Sequence, residues 1–166
     1  MNRIRYIFQV AGLSIIPVCF AGTSSAQEMT RFETVSECTQ AIQRAAIYRD
    51  QLDAERYSNL FVEEGVIVIS GNATTGKEAI AERVRAADRS EIDRHFTGSI
   101  VVDVDDSGSI TAKSYVVIYE GKTPESPGRV PVEEFLMSEY DDQMRMTDNG
   151  CKFIRREVTT IFRGGG

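Results

Sequence analysis

The sequence predicts an α+β fold in which helices from the first half pack into a strongly curved antiparallel sheet from the second half. Three observations predict it. Apolar residues recur at helical spacing through the first half of the chain. Long β-rich runs fill the second half. The turn signals Asp105-Asp-Ser-Gly108 and Asp148-Asn-Gly150 separate those runs, so helices come first and hairpins follow.

The chain opens with a segment that reads as an export signal. Arg3 and Arg5 form a short basic stretch, Tyr6–Phe20 is apolar, and Ser24-x-Ala26 closes a run of small residues. Cleavage after Ala26 is expected, leaving one domain over 27–163 and a frayed tail over 164–166. Pro17 interrupts an apolar run already short for a span, so no stable membrane anchor is expected. A periplasmic or secreted location follows. Loss of the leader removes two arginines and moves the net charge from -6 toward -8. An acidic chain without a basic run excludes a nucleic-acid binder. Cys38 and Cys151 remain after cleavage; in an oxidising compartment they either pair or pack as two buried thiols.

The elements follow in order. Thr34-x-x-Glu37 reads as a capping box opening a helix to about Asp53, with Cys38, Ala41, Ile42, Ala45, Tyr48 and Leu52 on one face. A short helix over Ala54–Phe61 and a strand over Val66–Ile69 come next. Thr75-x-x-Glu78 opens another helix with Ala79, Ile80, Val84 and Ala87 inward. Strands are expected over Ile92–Val104, Ile110–Glu120, Val130–Thr147 and Lys152–Phe162. Their length suggests a sheet that wraps around the helices and leaves a cavity.

Two motifs fail on inspection. Gly71-Asn-Ala-Thr-Thr-Gly76-Lys77 matches a phosphate-binding loop, but Glu78 stands where the magnesium-binding hydroxyl must be. Asp103-Val-Asp105-Asp-Ser107-Gly108 starts like a calcium loop, but its twelfth position is Ser114 instead of a glutamate. A single histidine excludes a multi-histidine zinc site, so no metal is expected.

That histidine, His95, is the candidate acid/base. Asp53 is its candidate orienting carboxylate, about 80° from the centre of the first helix's apolar stripe. On a regular strand Phe96, Ile100, Val102 and Val104 share one face and His95 the other. A bulge at Thr97-Gly98 is therefore expected, because one extra residue reverses the alternation.

The sequence resembles the SnoaL-like branch of the nuclear transport factor 2-like (NTF2-like) superfamily, related to scytalone dehydratase. The resemblance rests on Tyr48…Leu52-Asp53-Ala54, Leu60-Phe61-x-Glu-Glu-Gly65-Val66, Gly76-Lys-Glu-Ala-Ile80, Arg94-His95-Phe96, Ser114-Tyr115 and Arg155-Arg156. It implies an α+β cone with a hydrophobic pocket, commonly a homodimer, in which Asp53 and His95 occupy the places of an acid/base pair. Leu52 replaces a tyrosine of that branch, and a second pocket histidine has no counterpart. The implied activity is a cofactor-free lyase or isomerase on a small apolar molecule, with Tyr48 and Tyr115 donating hydrogen bonds to a carbonyl. A non-catalytic ligand-binding protein and a dimeric accessory module are the alternatives. In a cone the first helix crosses the sheet, so Cys38 and Cys151 could approach.

Overall fold

A computed structural model describes residues 30–165; the expected export signal lies outside them. The elements are α1 (Arg31–Asp50), α2 (Ala54–Ser58), β1 (Phe61–Ile69), β2 (Asn72–Thr75), α3 (Lys77–Arg85), β3 (Glu91–Val104), β4 (Ile110–Lys122), β5 (Glu134–Thr147) and β6 (Gly150–Gly165). The helices pack against one curved six-stranded sheet of order β2-β1-β6-β5-β4-β3. Every neighbouring pair is antiparallel except β1 and β6, which run parallel. Among the described residues no helix is long and apolar enough to cross a membrane.

Helix α1 begins earlier than expected. Thr30 and Glu33 form the capping box, because Thr34 is itself inside the helix and buried. The helix also ends earlier, at Asp50. Leu52 takes a left-handed φ of 52°, and its N–H donates to the Arg49 carbonyl while that of Asp53 donates to the Tyr48 carbonyl. That is the Schellman closure, with leucine where glycine is usual. Asp53 therefore leaves α1 altogether and caps α2, accepting from the Arg56 N–H at 2.9 Å.

Helix α3 starts at Gly76 with no side-chain cap, so the expected box at Thr75 does not form. Residues 70–77 instead make a tight β1–β2 turn, with Ser70 and Gly71 both at positive φ, then β2 and the helix start. The sequence pattern missed β2 because it spans only four residues. The Asp105 loop closes on itself, its Oδ1 accepting from Ser107 N, Ser107 Oγ and Ser109 N.

Gly164 and Gly165, expected as frayed tail, are strand residues paired with Phe135 and Glu134. The Phe135 ring lies so close to Gly164 that an added Cβ would sit 2.5 Å from it, so any larger residue there would have to displace the ring. The main core joins α1, α2, α3 and the inner sheet face around Ile42, Ile80 and Phe153. Within it Cys38 and Cys151 are disulfide-bonded, their Cα atoms 5.0 Å apart and 113 residues apart in sequence. The bridge ties α1 to the start of β6. Replacing both cysteines by serine is expected to lower the unfolding free energy by about 2–4 kcal/mol, read from the denaturant midpoint. An unchanged midpoint would contradict a formed bridge.

Candidate functional site

Strand β3 sets the orientation of His95. Its pairing with β4 slips between Gly98 and Val101, and Ser99 sits at φ 48° within the slip. This bulge reverses the alternation. Before it His95 and Thr97 point inward and Phe96 outward; after it Ile100, Val102 and Val104 point inward. His95 thus reaches the enclosed side of the sheet beneath the end of α1.

Its partner there is Asp50, not Asp53. His95 Nδ1 lies 2.6 Å from Asp50 Oδ1, and the His95 backbone N–H also donates to both carboxylate oxygens at 3.1–3.2 Å. The two side chains are only 10% and 15% exposed. With Asp50 accepting, the neutral ring carries its proton on Nδ1 and leaves Nε2 as acceptor. Nε2 makes no hydrogen bond to a described residue. Asp53 is engaged elsewhere, held 2.6 Å from Arg56 Nε, and its carboxyl lies below the ordinary range because Arg56 donates to it. The cause of the displacement is the early closure of α1 at Leu52, which carries Asp53 past the helix end.

His95 lines a cavity of about 830 Å³ between α3 and the sheet, a size suited to a small molecule. Ile67, Ile69, Ile80, Val84, Ile118, Leu136 and Val158 make much of its wall. Four residues, Arg49, Tyr57, His95 and Tyr140, line both this cavity and a smaller chamber behind it. Burial pushes the Tyr57 and Tyr140 phenols up, with the nearby Arg156 guanidinium pulling the other way, so both remain hydrogen-bond donors. Glu120, also on the cavity wall, is pushed up by burial and by the neighbouring Asp93 and Glu134 carboxylates.

Tyr48 and Tyr115 do not line the cavity. Tyr48 packs beside the core with Arg56 stacked over its ring. Tyr115 points outward because β4 turns Ser114 and Val116 inward. Sequence reasoning missed Tyr57 and Tyr140, although inward alternation along β5 with Leu136, Ser138 and Asp142 marks Tyr140. It also missed Asp50, whose signal is electrostatic. A carboxylate in the last turn of a helix faces the negative end of the dipole and needs a compensating donor.

Behind the phenols lies a buried ion pair. Arg156 donates from Nε and Nη2 to the two oxygens of Asp142 at 2.8 and 2.7 Å, and stacks 4.0 Å over the Phe153 ring. Burial works against the Arg156 charge, and Asp142 more than offsets it, so the guanidinium is held above its ordinary value.

The fold and the sequence agree with a known class. A SnoaL-like domain matches residues 30–157, and the chain belongs to that family, within the NTF2-like superfamily. No curated protein matches it. Among solved structures, an NTF2-like protein with a cystatin-like fold from Novosphingobium aromaticivorans is 25% identical. That match covers 78% of this chain and 83% of the other, with TM-score 0.62. A protein from the same organism, provisionally assigned as a scytalone dehydratase, is 19% identical over 79% and 86% of the chains, with TM-score 0.59. A hexachlorocyclohexane dehydrochlorinase (LinA) of type 2 is 10% identical over 78% and 86%, with TM-score 0.65. These likenesses define the fold.

The ion pair generates a stability prediction. Asp142→Ala strands a buried guanidinium and is expected to cost about 3–5 kcal/mol by chemical denaturation. Asp142→Leu with Arg156→Met removes both charges and is expected to recover most of that loss. A single substitution without effect would contradict the buried pairing.

Proposed function

We propose that this SnoaL-like protein is a cofactor-free acid/base catalyst of the lyase or isomerase type, acting on a small, largely apolar molecule. The observation that carries the reading is the 2.6 Å contact between Asp50 and His95 at the wall of the cavity. Neutral His95 accepts a proton at Nε2, and Asp50 holds the ring and stabilises the imidazolium. Tyr57 and Tyr140 donate to the oxygen on which negative charge develops. The aliphatic residues on the wall make the surroundings of the ring less polar than bulk water, which strengthens both interactions. Elimination chemistry in the names of two structural neighbours, a dehydratase and a dehydrochlorinase, supports the class.

The test is deuterium incorporation next to the carbonyl of apolar cyclic ketones in D2O, followed by mass spectrometry. Wild type is expected to accelerate exchange, with His95→Gln and Asp50→Asn each losing about 10²-fold or more. Equal exchange in wild type and variants would leave ligand binding without turnover as the function.

The proposal includes action outside the cytoplasm, supported by the export-type N-terminal sequence and the disulfide. It also includes a homodimer. Phe96, Val117, Met137 and Phe162 stand in one cross-strand row, with Phe96 and Phe162 exposed at 70% and 60%. Tyr119 and Phe135 extend the exposed patch in the next row, and a second copy would cover it. Light scattering is expected to give twice the chain mass for wild type and a monomer for Phe162→Glu. A monomeric wild type would overturn the dimer.

A further inference from the structure

The small chamber behind His95 has polar groups that no partner among the described residues satisfies. It measures about 20 Å³ and lies between α1 and the inner faces of β3, β4, β5 and β6. Its walls include Ile42, Ala45 and Val116, but also Ser114, Arg49, Tyr57, Tyr140 and His95. Ser114 is 1% exposed, and its Oγ has no hydrogen-bond partner among the described residues. Arg49 spans the two spaces. Its Nη2 lies 3.4 Å from Asp93, while Nη1 is buried without a partner among the described residues. Buried polar atoms in native proteins are paired almost without exception, and leaving one unpaired costs free energy. A polar cavity above about 10–15 Å³ with two or more hydrogen-bonding groups is large enough for one water.

We propose that this chamber binds a single water, held by Ser114 Oγ and Arg49 Nη1 and seated against the His95 ring. The stoichiometry fits. The guanidinium N–H donates to the water oxygen, one water hydrogen goes to Ser114 Oγ, and the other is left to face the imidazole. The large and small spaces share Arg49, Tyr57, His95 and Tyr140, so the water stands at the boundary between them. When an apolar ligand fills the large cavity, bulk water is displaced from it, and the chamber water stays within reach of the ring. Ser114 and Arg49 are thereby positioning residues that act through this water. The inference rests on the acid/base reading of Asp50 and His95 for its functional meaning, but its test is independent of turnover.

Two measurements decide it. A high-resolution crystal structure of the wild type is expected to show one water within hydrogen-bonding distance of both Ser114 Oγ and Arg49 Nη1. In solution, the His95 ring protons are expected to show a nuclear Overhauser effect from a long-lived water. Ser114→Val, which suits a strand and fills the chamber with methyl groups, should abolish that signal. A dry chamber in the crystal overturns the proposal, as does a water signal that persists unchanged in Ser114→Val. If the valine variant does not fold, the wild-type crystal structure alone decides. A dry chamber together with ketone exchange that still depends on Asp50 and His95 would remove the water site and leave the acid/base reading intact.

Discussion

The grip of Asp50 on His95 is the contact on which the rest of the site depends. One carboxylate accepts from both the backbone N–H and the ring of His95, so it fixes a strand and a side chain at once. It also resolves an electrostatic conflict, because Asp50 sits where the negative end of the α1 dipole disfavours it. Its two donors from β3 offset that cost. A residue that breaks a local rule and is compensated by a distant partner is characteristic of functional sites.

Two backbone irregularities make that contact geometrically feasible. Leu52 adopts a left-handed conformation that glycine normally occupies, which ends α1 within a residue or two of Asp50. Ser99 does the same in β3 and shifts the register so that His95 turns inward. Neither non-glycine residue is at ease there; each conformation costs of order 1–3 kcal/mol and persists because its surroundings hold it. The disulfide and the core around Phe153 hold α1 against the sheet, and the Arg156–Asp142 pair stiffens the floor beneath the phenols.

The same irregularities explain what could be read from the sequence. The α+β order, the long strands and their hairpins were legible because periodicity and turn residues report them directly. His95 was legible as the candidate acid/base, and Gly98 pointed to a bulge close to the observed slip. Asp50 was not, because the helical pattern runs on through Leu52 and no glycine announces the end of α1. A stripe drawn three residues too far puts Asp53 on its rim and passes over the carboxylate that makes the contact. Tyr115 failed for the opposite reason. Its place on β4 is regular, and regular alternation turns it outward. The parallel pairing of β1 with β6 is a long-range contact that no local signal encodes.

The protonated nitrogen of His95 tests the central contact most directly. The chain has one histidine, so its ring nitrogens can be assigned by ¹⁵N NMR without ambiguity. With Asp50 as acceptor, the neutral form of the ring is expected to carry its proton on Nδ1 in the wild type and in Asp53→Asn, and to lose that preference in Asp50→Asn. A tautomer that is unchanged in Asp50→Asn, or one that responds to Asp53→Asn instead, would contradict it.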